Sequence, residues 1–177
     1  NNVSIINSKF TMNGDEEIDN TVIYVIESNN VTIENNEINF AVETNDTYEN
    51  VAIYAEECEN LNIIENRMSV LLPARSINWS TGTVYSQAVF LKDCDDAVLE
   101  DNYIEARSNG QISKYDTLYA VHIVGDNANV NNNIIWIEDA PYGYGLVISG
   151  GDFLIEENTI IIDRGGAYSC GIDVEGD

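Results

Sequence analysis

The sequence predicts an all-β solenoid of about six coils, each coil made of three short strands that stack on their counterparts into three parallel sheets. The first observation behind this is a phrase that recurs six times. An apolar–x–apolar pair is followed three residues later by Asn, and two residues beyond that by another apolar residue. It reads Val31-x-Ile33-x-x-Asn36-x-Ile38, Leu61-x-Ile63-x-x-Asn66-x-Met68, Ala97-x-Leu99-x-x-Asn102-x-Ile104, Ala128-x-Val130-x-x-Asn133-x-Ile135 and Phe153-x-Ile155-x-x-Asn158-x-Ile160. Val3-x-Ile5-x-x-Ser8-x-Phe10 opens the series with Ser in the Asn slot. Successive positions of that slot lie 28, 30, 36, 31 and 25 residues apart. The second observation is a shorter apolar phrase running seven or eight residues ahead: Ile23-x-Val25, Ile53-x-Ala55, Val89-x-Leu91, Val121-x-Ile123, Leu146-x-Ile148 and Ile172-x-Val174. The third is what the chain lacks. No stretch sustains a helical period, and the two prolines, Pro73 and Pro141, fall in the variable segments between phrases.

Taken in order around one coil, the first strand is typified by Ile23–Ile26, the second by Val31–Glu34 and the third by Glu37–Phe40. Alternation of Val and Ile with polar residues is the period of a strand buried on one face. Repeats this short bury their apolar positions only by stacking, each strand pairing with its counterpart above and below. The two-residue link between second and third strands always ends in Asn or Ser. Asn tolerates the left-handed conformation, and its amide can bond to the same amide one rung along, so these positions are expected to form an Asn ladder. A second polar ladder, Asn2, Asn30, Asn60, Asp96, Asn127 and Asp152, marks the preceding turn. Both ladders read as structural.

Composition narrows the function. The chain has 31 acidic and 7 basic residues and a net charge of −24, which excludes a binder of nucleic-acid phosphates. It also disfavours polyanionic partners unless divalent cations bridge the two. No apolar run approaches membrane-spanning length, so no membrane insertion is expected in this segment. Repeats already running at Asn1–Ile5 and the uncapped phrase at Gly171–Val174 suggest that residues 1–177 are one β-helical segment, an excerpt of a longer surface protein. Cys58 and Cys94 fall at equivalent places before their Asn phrases and should stack in adjacent rungs, about 4.8 Å apart. That spacing admits a disulfide, although stacked free thiols are the simpler reading. Cys170 has no candidate partner.

The repeating phrase resembles that of the right-handed parallel β-helix, the pectate-lyase-like superfamily, over the whole chain. Within it, acidic, Asn-rich and lysine-poor segments such as Asn30–Ile38 are most similar to the large adhesin-like surface proteins of methanogenic archaea. That resemblance implies an extracellular, secreted or surface-anchored location. In the pectate-lyase-like enzymes the catalytic groups sit on the outer face of the first strand, so the resemblance directs attention there. One row expected to face outward is uniformly small: Val22, Ala52, Ala88, Ala120, Gly145 and Gly171. The next is Tyr24, Tyr54, Phe90, His122, Val147 and Asp173, and the third is Ile26, Glu56, Lys92, Val124, Ser149 and Glu175.

Inverting glycosidases place carboxylates about 6.5–9.5 Å apart. Asp173 and Glu175 are the only acids on consecutive outward positions of one strand, and Glu56 beside Lys92 reads as an ion pair. No catalytic residue is expected. No cofactor is expected either, with calcium at the acidic turn Asp93–Asp96 the one alternative left open. His122 is the only histidine, which rules out a metal site built on several histidines and reads as a stacking ring.

Aromatic character is what concentrates on this face. Tyr24, Tyr54, Phe90 and His122 form a stripe, and the segments entering the same strand carry Tyr48, Trp79, Tyr85, Tyr115, Tyr119, Tyr142, Tyr144 and Tyr168. The expected ligand-binding set is Tyr24, Tyr54, Phe90, His122, Trp79, Tyr85, Tyr115 and Tyr142, a shelf against which sugar C–H faces pack. Sequons occur at Asn2, Asn30, Asn45 and Asn78; the last two lie in loops and are the better candidates. The function expected is therefore a non-catalytic, adhesin-like module that presents an aromatic groove and loops to a glycan or cell-surface partner. A polysaccharide lyase or hydrolase of the same fold, and a purely structural stalk, are the alternatives.

Overall fold

The computed structural model describes residues 2–14, 19–42, 49–72, 75–76, 86–108, 116–140, 142–164 and 168–175. Its alternating apolar phrases form three parallel sheets of a β-helix. The first sheet stacks Asn20–Ile26, Asn50–Glu56, Ser86–Lys92, Asp116–Val124, Tyr142–Ser149 and Tyr168–Glu175. The second stacks Val3–Ile6, Asn29–Glu34, Glu59–Ile64, Val98–Glu100, Asn129–Asn131 and Leu154–Glu156. The third stacks Lys9–Asn13, Glu37–Ala41, Arg67–Leu72, Tyr103–Ser108, Ile134–Glu138 and Thr159–Asp163. The short segment Arg75–Ser76 pairs antiparallel with Asp116–Thr117 at the side of the first sheet.

Register makes the repeat visible as columns. Ile5, Ile33, Ile63, Leu99, Val130 and Ile155 stack in the second sheet. Phe10, Ile38, Met68, Ile104, Ile135 and Ile160 stack in the third. Ile23, Ile53, Val89, Val121, Leu146 and Ile172 stack in the first. The three columns meet as one core, in which the residues of the middle coils are fully buried. Each such side chain contributes about 1.5–3 kcal/mol of transfer free energy.

The Asn slot is a continuous hydrogen-bonded ladder. The backbone N–H groups of Ser8, Asn36, Asn66, Asn102 and Asn133 each donate to the Oδ1 of the next coil's Asn, at 2.9–3.0 Å. The Nδ2 groups of Asn36, Asn66, Asn102 and Asn133 donate to the same oxygens, and each also reaches back to a carbonyl one coil behind, such as Asn102 Nδ2 to Ile63 O at 2.7 Å. The left-handed conformation, however, belongs to the residue before the ladder. Asn7, Asn35, Glu65, Asp101, Asn132 and Glu157 have φ between 50° and 56°. In the other polar ladder the ladder residues themselves adopt it, with Asn30, Asn60, Asp96, Asn127 and Asp152 at φ 54–58°.

The first strand departs from simple alternation. It starts three to five residues earlier than the apolar phrase predicts, and in three coils its opening positions Asn20, Asn50 and Ser86 are in register and buried. Asn20 Nδ2 donates to Asn50 Oδ1 at 2.9 Å, a third polar ladder. At the small row Val22, Ala52, Ala88, Ala120, Gly145 and Gly171, the recorded pairing skips one residue in every coil. Ala52, Ala88 and Ala120 are not outward; they are fully buried members of the core, as are the residues that follow them. Two successive inward residues mean the strand turns a corner around the core. The inside of a corner is crowded, and so only small side chains fit there.

Candidate functional site

The corner shifts which residues face solvent. Before it, Tyr119 and Tyr144 point outward, and after it His122 does, three positions on from Tyr119. Rings on both sides of the corner therefore join into one ladder over the first sheet. Tyr24 stacks on Tyr54 with centroids 5.2 Å apart and planes at 17°. Tyr54 meets Phe90 edge to face at 5.5 Å, and Phe90 stacks on His122 at 4.8 Å. His122 stacks on Tyr119 at 5.5 Å, which stacks on Tyr144 at 4.9 Å. Tyr168 completes the run, 6.2 Å from Tyr144 and 6.3 Å from Tyr142. Eight rings thus form an unbroken line of neighbours across the sheet.

Five of the eight residues expected to bind ligand are in this ladder: Tyr24, Tyr54, Phe90, His122 and Tyr142. Trp79, Tyr85 and Tyr115 lie outside the described residues, as does Tyr48. Tyr119, Tyr142, Tyr144 and Tyr168, read from sequence as lying in entering loops, are strand residues of the first sheet. The shelf geometry also differs from expectation. Parallel rings at these spacings are offset-stacked, so most faces are turned towards one another and the ring edges towards solvent. Tyr24 and Tyr168 are 60 % and 57 % exposed.

Polar groups flank the rings. Tyr54 Oη donates to Glu56 Oε2 at 2.9 Å, and Lys92 forms an ion pair with the other oxygen of the same carboxylate. The Lys92 ammonium first, and the Tyr54 hydroxyl second, hold the Glu56 carboxyl below its usual range. Burial and that hydrogen bond push the Tyr54 phenol up. Glu49 is shifted the other way, raised by its own burial and by the charge of Asp19, whose Oδ1 also accepts the Glu49 backbone N–H at 2.7 Å. Glu49 was not singled out from sequence, because it lies ahead of the apolar phrase and outside the expected strand.

Burial lowers the pKa of His122 to about 4, so the imidazole is neutral at pH 7. Its Nδ1 lies 3.2 Å from Gln87 Oε1. Among the described residues the buried Gln87 Nε2 has no hydrogen-bond partner.

The candidate catalytic and metal groups are placed as follows. Asp173 and Glu175 both stand on the last strand of the first sheet, in register with Val147 and Ser149. In the acidic turn, Asp95 Oδ1 accepts the backbone N–H of Asp126, and Asp126 Oδ1 accepts that of Gly151. These carboxylates close the turns of successive coils. Among the described residues no group of three or more His, Cys, Asp or Glu is arranged to hold a metal ion. No helix among them is long and apolar enough to cross a membrane.

Comparison with known proteins finds no matching family model, no matching curated protein and no matching solved structure.

Proposed function

We propose that this chain is a non-catalytic module of a secreted or surface-anchored protein, adhesin-like in the manner of the methanogen surface proteins its sequence resembles, and that the ring ladder binds an extended neutral glycan. The observation that carries this reading is the single line of eight rings on the first sheet. Successive ring centroids lie 4.8–6.3 Å apart. Edges and phenol hydroxyls along that line offer C–H contacts and hydrogen bonds in a repeating pattern. A net charge of −24 favours a glycan without carboxylates or sulfates. Glu56, an acid on this face, is engaged by Lys92 and Tyr54, which supports binding over hydrolysis at that carboxylate. The reading calls for no cofactor.

A stalk without ligand is the second reading, favoured by one specific observation. Rings that spend their faces on one another clamp neighbouring coils together whether or not anything binds. The two separate in one experiment. The chain is incubated with neutral and acidic polysaccharides, with and without calcium, and retention and released fragments are scored together. Retention of a neutral polysaccharide, weakened several-fold by Tyr24→Ala or Tyr168→Ala, is the expected result. Stability losses without any retention identify a stalk, and released fragments identify an enzyme of the pectate-lyase-like kind.

A further inference from the structure

We propose that Cys58 and Cys94 join in an intramolecular disulfide when the chain folds in the presence of a disulfide oxidant, stapling the turns of two adjacent coils. The two residues occupy the same place in consecutive turns. Each immediately precedes the parallel bridge Glu59↔Asp95, and the backbone N–H of Asp95 donates to Cys58 O at 3.1 Å. Paired rungs lie about 4.8 Å apart, inside the Cα separation of about 4.4–6.8 Å that a disulfide accepts. Both side chains enter the same covered space, at 1 % and 0 % exposure. Burial pushes the Cys94 thiol up to about 12.

The row itself shows that sulfur is not needed for the turn. Ser28 is its third member, one coil back, where the backbone N–H of Glu59 donates to Ser28 O. Ser28 Oγ donates to Ile26 O at 2.8 Å, and the two thiols donate to the equivalent carbonyls of Glu56 and Lys92 at 3.4 Å. Any small donor serves that role. Thiols in two adjacent coils add the capacity to cross-link. Cys170 is no competitor in the folded chain, since it stands in the first sheet in register with Tyr144.

The chemistry is two thiol–disulfide exchanges. One cysteine thiolate attacks the oxidant disulfide, here glutathione disulfide, releasing one glutathione thiolate and leaving a mixed disulfide. The second cysteine thiolate attacks the protein sulfur of that bond and expels the other glutathione. Two protein thiols are oxidised, the oxidant disulfide is reduced to two glutathione thiols, and the two protons leave with them. Buried thiols are out of reach of an oxidant, so the bond forms before the coils close around it.

The test refolds the reduced, denatured chain in a mixture of oxidised and reduced glutathione, then counts thiols under denaturing conditions and maps linked peptides. The expected product carries one free thiol, is lighter by two hydrogens, and yields a Cys58–Cys94 peptide pair. Cys58→Ser, which the Ser28 geometry accommodates, should fold without that pair and melt roughly 5–10 °C lower than the bridged chain. Three free thiols in the refolded chain, or a pair that includes Cys170, overturns the proposal. Should refolding from denaturant fail, the same count on chain folded during cell-free synthesis in oxidising buffer decides it in the same way.

Discussion

Asn102 shows how much one side chain does in this fold. Its Oδ1 accepts from the backbone N–H and the Nδ2 of Asn66, while its own Nδ2 donates to Ile63 O and Asn133 Oδ1. All of these groups are buried, so truncation strands several donors and acceptors at once. Asn102→Ala is expected to cost about 2–4 kcal/mol, read from the denaturant midpoint. Ser28→Ala, which removes one exposed bond, should cost under about 1 kcal/mol.

His122 makes a second residue-scale prediction. Its folded pKa of about 4 lies below the unfolded value near 6.5. Below pH 6.5 the unfolded chain therefore binds a proton that the folded chain refuses, and stability falls from pH 6.5 down to 4 by up to about 3 kcal/mol. His122→Phe, which continues the ring row, should flatten the melting temperature across that window. An unchanged slope in the variant would show that another group drives it. The Asn ladder was legible from spacing because one residue type fills five of its six slots, with Ser8 in the other. The left-handed position beside it was not, because Asn, Glu and Asp share it and only its φ values are alike.

At the scale of elements, the first strand teaches the most. Its small row stood out from sequence, yet strict period-2 counting placed it on the wrong face. Alternation assumes an unbent strand, and a corner inserts one extra inward residue. The same shift concealed that Tyr119, Tyr144 and Tyr168 belong with His122 and Phe90 in one ladder, because three-residue spacing ordinarily separates opposite faces. The corner itself is testable through its glycines. A Cβ at Gly145 would lie 2.5 Å from Gly171 O and 2.5 Å from Ile160 Cγ2, whereas a Cβ at Gly171 meets nothing within 4 Å. Gly145→Ala should therefore destabilise by about 1–3 kcal/mol through overpacking. Gly171→Ala should be neutral or stabilise by up to about 1 kcal/mol, through reduced freedom of the unfolded chain. A Gly145→Ala chain that melts no lower than its parent would contradict the inward-facing corner.

Across the whole molecule, stacking sets like charges one rung apart. Asp95 and Asp126 stand in successive turns, and Glu27, Glu57 and Asp93 occupy equivalent left-handed positions. Rungs are separated by about 4.8 Å, well inside the screening length of about 10 Å at 0.1 M salt. Against 31 acids the chain has 7 basic side chains. The ion pairs among the described residues use four of them: Lys9 with Glu37, Lys92 with Glu56, Arg107 with Glu105 and Glu138, and Arg164 with Glu138 and Asp139. Exposed pairs of this kind contribute little individually, so repulsion along the stack outweighs them. Raising the salt from about 0.01 M to about 0.3 M shortens the screening length several-fold and should raise the melting temperature by several degrees. A fall would mean that the ion pairs dominate. The same salt series separates two kinds of partner. A neutral glycan held by ring edges should bind with almost no dependence on salt, whereas a cationic surface drawn by the acidic coils should lose affinity steeply as its attraction is screened.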